Sequence, residues 1–237
     1  MRKHSVIFEC NSHIGYKHIL NEDAYRADAE LGLWVIADGM GGHSNGRIAS
    51  NIVVEQIFHQ VKTDVSLTTA IQNSHKAILS AGKQDHKNKG MGSTVVALKL
   101  DGQHYEIASV GDSRAYLFSN TKLKQLTQDH TLVQELINQG TISPEQAKIH
   151  PCRHILKQAL GSLTHDEVMI DVFTGKIGIN DILLLCTDGL TSRIQHCKIE
   201  SLFTESNSLQ ELMDKLIKTA LTLGGHDNIT VALIKCI

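Results

Sequence analysis

Proline is almost missing from this chain: 237 residues contain only Pro144 and Pro151. No Ser/Gly-rich stretch or internal repeat stands in for a proline-rich linker, so we expect one domain spanning residues 1–237. Aromatic residues make up only 4% of the chain, yet the 41% hydrophobic content suffices for a real core. Neither sign of charge dominates. With 23 basic and 25 acidic residues and no long run of either, the footprint of a nucleic-acid or membrane-surface binder is absent, and neither partner is expected. The cysteines (Cys10, Cys152, Cys186, Cys197 and Cys236) are odd in number, form no CxxC pair and lie partly in apolar runs. They read as reduced thiols, not as a disulfide framework. The N-terminal MRKHSVIFECNSHIGYKH lacks the continuous apolar region and cleavage site of a secretory leader, and no run approaches a membrane span. These absences point to the cytoplasm.

What is present is a set of β-branched apolar runs with helical segments among them. Strands are expected near 33–37, 94–100, 105–110, 114–118, 166–173, 182–187 and 229–236. The second, third and fourth follow one another through DGQ and GDS turns, which predicts an antiparallel meander. Helical spacing fits 46–62, where Ile48, Ile52, Ile57 and Val61 share a predicted face, and also about 66–81, 130–139 and 207–223. Strands and helices do not alternate as in a βαβ chain. The expected class is α+β, with stacked antiparallel sheets.

Acidic residues end or begin several of these runs: Asp38 in LWVIADGMGG, Asp112 in IASVGDSRAYL, Asp188 in ILLLCTDGL and Asp227 in GGHDNITVALI. Carboxylates gathered from distant parts of a chain suit hard divalent cations such as magnesium and manganese, which favour oxygen ligands. The glycines after Asp38 permit a tight turn that aims a backbone carbonyl at the same ion. Taken singly, each motif also reads as ordinary Asp-Gly turn chemistry. Their joint occurrence, in this order, is what favours a metal-assisted hydrolase.

Together with NEDA (21–24), GMGSTVVAL (90–98), LTQDHTLVQELINQGTIS (126–143) and ALG (159–161), these stretches closely resemble the metal-dependent protein phosphatase family, PPM or type 2C, in its compact bacterial form. The match runs from near the first residue to near the last. The resemblance implies a four-layer αββα sandwich, two central antiparallel sheets flanked by helices, with a two-metal cleft at one end. It implies that Asp38 bridges two manganese or magnesium ions, that the Gly39 carbonyl completes one, and that Asp188 and Asp227 ligate the other. Glu22 would act through a metal-bound water, Asp23 would support that network, and Asp112 with Asp188 would hold a weaker third ion. A pair of cations lowers the pKa of a shared water, and the hydroxide attacks phosphorus in line. The substrates implied are phosphoserine and phosphothreonine in proteins, opposite a bacterial Ser/Thr kinase, with the enzyme acting as a monomer.

The chain departs from the family pattern at identifiable positions. An arginine usually stands four residues before the motif glutamate; GYKHILNEDA has His18 there. The bidentate phosphate fork is therefore missing, and Lys17 or His18 would offer only a point charge. Ser192 stands where many relatives have an aspartate assisting the third metal, which lowers the expected affinity of that site. Met40 supplies no general acid, leaving His43 as a substitute. The His150, Cys152 and His154 grouping lacks HExxH or paired CxxC spacing, so zinc is not expected; it follows the family's variable flap, at about 138–152. GMGST has no Walker lysine and reads as a tight turn beneath the site. Two other readings remain open at this point: a phosphoprotein-binding pseudophosphatase, because the arginine is missing, and a two-metal nuclease, which the near-neutral charge disfavours.

Overall fold

The computed structural model describes residues 6–41, 45–85, 88–163 and 166–237. Its frame is a pair of five-stranded antiparallel sheets. One has the order β1 (Val6–His13), β12 (Ile229–Cys236), β11 (Ile182–Cys186), β8 (Arg114–Ser119), β9 (Lys122–Gln125). The other runs β10 (Asp171–Lys176), β7 (His104–Val110), β6 (Val95–Asp101), β3 (Leu33–Ala37), β2 (Ala24–Asp28). A short pair, β4 (Gly39–Met40) with β5 (Gly92–Ser93), lies next to the second sheet's end. The helices are α1 (Asn45–Val61), α2 (Leu67–Gln84), α3 (Leu132–Asn138), α4 (Pro144–Ile149), α5 (Asp188–Thr191), α6 (His196–Thr204) and α7 (Leu209–Thr222). Among the described residues no helix is long and apolar enough to cross a membrane.

Side-chain alternation along the strands explains the layering. Leu33, Val35 and Ala37 of β3 pack with Val53, Ile57 and Ile71 of α1 and α2, while Trp34 and Ile36 face the other sheet. In β12, Val231 and Leu233 meet Leu212 and Leu216 of α7, and Ala232 and Ile234 point inward. A strand buried on both faces needs apolar residues at every position, which is why these runs read as continuous. The four-layer αββα sandwich is thus built on three apolar interiors: helix on sheet, sheet on sheet, and sheet on helix.

Several expectations are corrected. The predicted face of α1 is rotated: Ile57 and Val61 are buried, but Ile48 is exposed, and Ala49, Val53, Val54 and Phe58 complete the packed surface instead. The expected strand at 166–173 begins later, at Asp171, because Val168 and Ile170 turn into the interior under α1 and α2. The meander holds only for β6 and β7. β7 already has β6 and β10 on its two sides, so the chain leaves at Gly111 and crosses to the other sheet, where β8 pairs with β11 and β9. That crossing carries Asp112 into the space between the sheets' ends.

Candidate active site

The antiparallel register brings distant segments to one end of the sandwich. Ala24 pairs with Ala37, Cys186 with both Val231 and Arg114, and Val95 with Val110. Glu22, Asp23, Asp38, Asp112, Asp188 and Asp227 therefore all lie just beyond strand ends on the same side. Asp38 is fixed through its main chain: its N–H donates to Thr94 Oγ1 (3.1 Å), and its carbonyl accepts from Thr94 N–H (2.8 Å) and from Ser93 Oγ (3.0 Å). This makes GMGST a tight support under the site, as the sequence suggests. Gly39 is required by close approach, since a Cβ there would lie 2.0 Å from the Gly46 carbonyl oxygen.

Asp23 is buried, and its Oδ2 accepts from Thr187 Oγ1 (3.0 Å) and Thr230 Oγ1 (2.6 Å). Its Oδ1, like Oδ1 of Asp188, is buried without a hydrogen-bond partner. Glu22 Oε1 accepts from Gly46 N–H at the start of α1 (3.1 Å), where a carboxylate complements the helix dipole. Asp227 Oδ1 accepts from the Asn228 N–H (2.8 Å) and lies 3.2 Å from His18 Nε2. Lys17 is exposed on the same loop, and His43 lies outside the described residues.

Electrostatics ties the acids together. Burial, followed by the charges of Asp23, Asp188, Asp112 and Asp227, holds the Asp38 carboxyl well above the usual carboxylate range. Burial and the neighbouring Asp112, Asp227 and Asp23 do the same to Asp188. Burial pushes Asp23 up to about 7 and Asp112 up to about 6, the latter against the pull of Arg114. Among the described residues no three His, Cys, Asp or Glu side chains close into a metal cage, at the His150–His154 grouping or elsewhere. Hard cations do not need such a cage, because they keep several waters and take one or two carboxylates apiece. The all-oxygen donor set, the orphaned oxygens and the mutual repulsion fit cations of that kind.

Sequence reasoning missed the groups that hold the acids in place. Asn228 is buried; its Oδ1 accepts from Glu22 N–H (2.7 Å) and its Nδ2 donates to the carbonyls of Ile14 (2.8 Å) and Leu20 (3.3 Å). One amide thereby ties the loop carrying His18 to the strand start carrying Asp227. The HDN triplet was the available signal. Thr187 and Thr230, with no comparable signal, are recognisable only once β11 and β12 are paired.

A family model described as protein phosphatase 2C matches residues 11–230. A serine/threonine phosphatase, stp, of Listeria welshimeri is 40% identical over 211 residues, covering 85% of this chain and 83% of that one. The serine/threonine phosphatase PstP/Ppp of Mycobacterium tuberculosis superposes with a TM-score of 0.89 at 32% identity, over 98% of both chains. The catalytic domain of PstP in complex with two manganese ions superposes with a TM-score of 0.85 at 29% identity, again over 98% of both. The chain belongs to the protein phosphatase 2C family, as a bacterial PPM-type Ser/Thr phosphatase.

Proposed function

We propose that this cleft hydrolyses phosphoserine and phosphothreonine in protein substrates by means of two manganese or magnesium ions held by the chain's carboxylates. The observation that carries this reading is the pair of buried, partnerless oxygens, Asp23 Oδ1 and Asp188 Oδ1, within a group of mutually repelling acids. A buried anion without a partner is costly, and a bound cation relieves the whole group at once. Asp38, the Gly39 carbonyl, Asp188 and Asp227 would hold the two ions, with Glu22 reaching them through water. Asp112 and Asp188 would hold a weaker third. The two manganese ions in the PstP catalytic domain support that count. Once bound, such ions supply an activated water for in-line attack and neutralise charge on the phosphoryl oxygens.

The chain's own contribution is preorganisation. Ser93 and Thr94 fix the Asp38 backbone, Asn228 fixes the spacing of Glu22 and Asp227, and Asp23 braces Thr187 beside Asp188. His18 or Lys17 supplies the positive charge that meets substrate phosphate, and His18 must first give up Asp227. The enzyme works as a single-domain monomer in the cytoplasm, where its free cysteines stay reduced, and reverses the action of a Ser/Thr kinase. The test is an assay with an aryl phosphate and a phosphothreonine peptide, with manganese and then with chelator. Turnover of both that chelator removes is expected. Metal binding without turnover would overturn the reading in favour of a pseudophosphatase, and cleavage of nucleic acid alone in favour of a nuclease.

A further inference from the structure

Asp129 and His130 are consecutive residues that grip different sheets. Asp129 takes both sides of the Arg114 guanidinium, at 2.8 Å from Nε to Oδ1 and 2.6 Å from Nη2 to Oδ2, and Arg114 opens β8 in the first sheet. His130 turns to the second. Its Nδ1 accepts from Gly111 N–H (3.3 Å), its own N–H donates to the Gly111 carbonyl (2.9 Å), and its Nε2 lies 3.2 Å from Asp171 Oδ2, where β10 begins. With Nδ1 accepting from Gly111, Nε2 is the ring nitrogen that faces Asp171.

Gly111 is thus held at both its backbone polar groups. It immediately precedes Asp112, takes φ +104°, and packs so closely on Thr94 that an added Cβ would lie 2.6 Å from Thr94 Cγ2; Thr94 Oγ1 in turn holds Asp38. On the other side, His130 opens the stem of the segment carrying α3 and α4. Its carbonyl accepts from Lys157 N–H (2.8 Å), Leu132 N–H donates to the Ile155 carbonyl (2.9 Å), and Thr131 bridges to Leu156. One residue therefore stands where the base of the 131–157 segment meets the Asp112 loop, joined to the stem by its main chain and to Gly111 by both main chain and ring.

We propose that His130 is a positioning residue that locks the Gly111–Asp112 loop to the base of the 131–157 segment, so that Asp112 and that segment shift together. The consequence for catalysis rests on the phosphatase reading above; the mechanical link does not. Asn places an acceptor where Nδ1 stands but cannot reach Asp171, so His130→Asn separates the two contacts of the ring.

The test compares His130→Ala, His130→Asn and Asp171→Ala with the wild type. In the metal-free protein, amide exchange at Gly111 should speed up about tenfold or more in His130→Ala and return close to the wild-type rate in His130→Asn. By calorimetry, the weaker class of manganese sites should lose about 10-fold to 100-fold in affinity in His130→Ala, the range for groups that orient a metal ligand, with the tighter class changed less. Asp171→Ala, which touches a half-exposed carboxylate at a strand start, keeps the test informative if His130→Ala folds poorly; it should give the same changes at smaller size. Unchanged Gly111 exchange in His130→Ala, or exchange accelerated equally throughout the chain with no return in His130→Asn, would overturn the proposal. A wild-type protein inactive on phosphopeptide would defeat the phosphatase reading alone, and the exchange arm would still decide the role of His130.

Discussion

Two groups of carboxylates lie side by side at one end of this sandwich and are treated in opposite ways. Asp129 and Asp171 are matched: the first by the Arg114 fork, with Gln125 adding a bond at 3.3 Å, the second by His130. Asp23, Asp38, Asp112 and Asp188 crowd one another; against that repulsion stand the Arg114 charge at Asp112 and Asp188, a backbone hydrogen bond at Asp112, and the Thr187 and Thr230 hydroxyls at Asp23. The chain has guanidinium and imidazole within reach and uses them on the first group. A buried charge is kept when it is paired within the protein or when something outside completes it. The first group is finished by the fold; the second, on the function proposed above, would be finished by a cation.

Breaking the second group should have the largest effect. Asp38→Asn should reduce phosphatase turnover by about 1,000-fold or more, worth about 4 kcal/mol of transition-state stabilisation. In the same variant the metal-free protein should melt no lower than the wild type at pH 7.5, because a carboxyl disfavoured by burial and by neighbouring acids has been replaced by a group that cannot ionise. Steady-state kinetics and thermal melts in chelator check the two halves.

Breaking the first group should have the reverse signature. Arg114→Ala leaves Asp129 part-buried without its partner, and we expect a loss of about 2–4 kcal/mol in stability, less than for a fully buried pair because solvent reaches Arg114. Urea denaturation in chelator measures it, and manganese should not restore it.

The comparison also fixes a pH dependence. A carboxyl whose folded-state pKa is raised stabilises the fold fully only below its unfolded value of 3.8 and loses that contribution as pH rises through the folded value, here about 6 for Asp112 and about 7 for Asp23. The metal-free protein should therefore melt lower at pH 7.5 than at pH 5. Asp112 then accounts for about 1.4 kcal/mol of that difference, so Asp112→Asn should shrink it by roughly 3–6 °C, and saturating manganese should shrink it further. Melting curves across this range with an unaltered slope in Asp112→Asn would refute the assignment of the strain to that residue.

The smallest effect is expected at the rim. His18 and Asp227 form an exposed contact, worth about 0–1 kcal/mol, so His18→Ala should change KM for a small phosphate ester by less than about fivefold. A larger rise would assign His18, rather than Lys17, to the phosphate.

The acids themselves were legible because each ends or begins an apolar strand, and because Asp-Gly and Gly-Asp pairs favour the tight changes of direction found at strand ends. The layers were legible from continuous runs such as LWVIA and ILLLC, which only burial on both faces explains. The strand β1 was not, since its edge position leaves Ile7 and Phe8 partly exposed and blurs any alternation. The meander was misread because GDS carries a hairpin's turn residues, while the pairing capacity of β7, already used by β6 and β10, is a property of the whole sheet. Asn228, Thr187, Thr230 and His130 escaped for a similar reason: their bonds span up to 218 residues, and no local spacing encodes them.

Titrating manganese into the metal-free wild type and Asp38→Asn, by calorimetry at pH 7.5, tests the central claim most directly. The account predicts tight saturable binding to the wild type, about two ions per chain, and at least about 100-fold weaker binding to Asp38→Asn. Equal binding by the two proteins would contradict it.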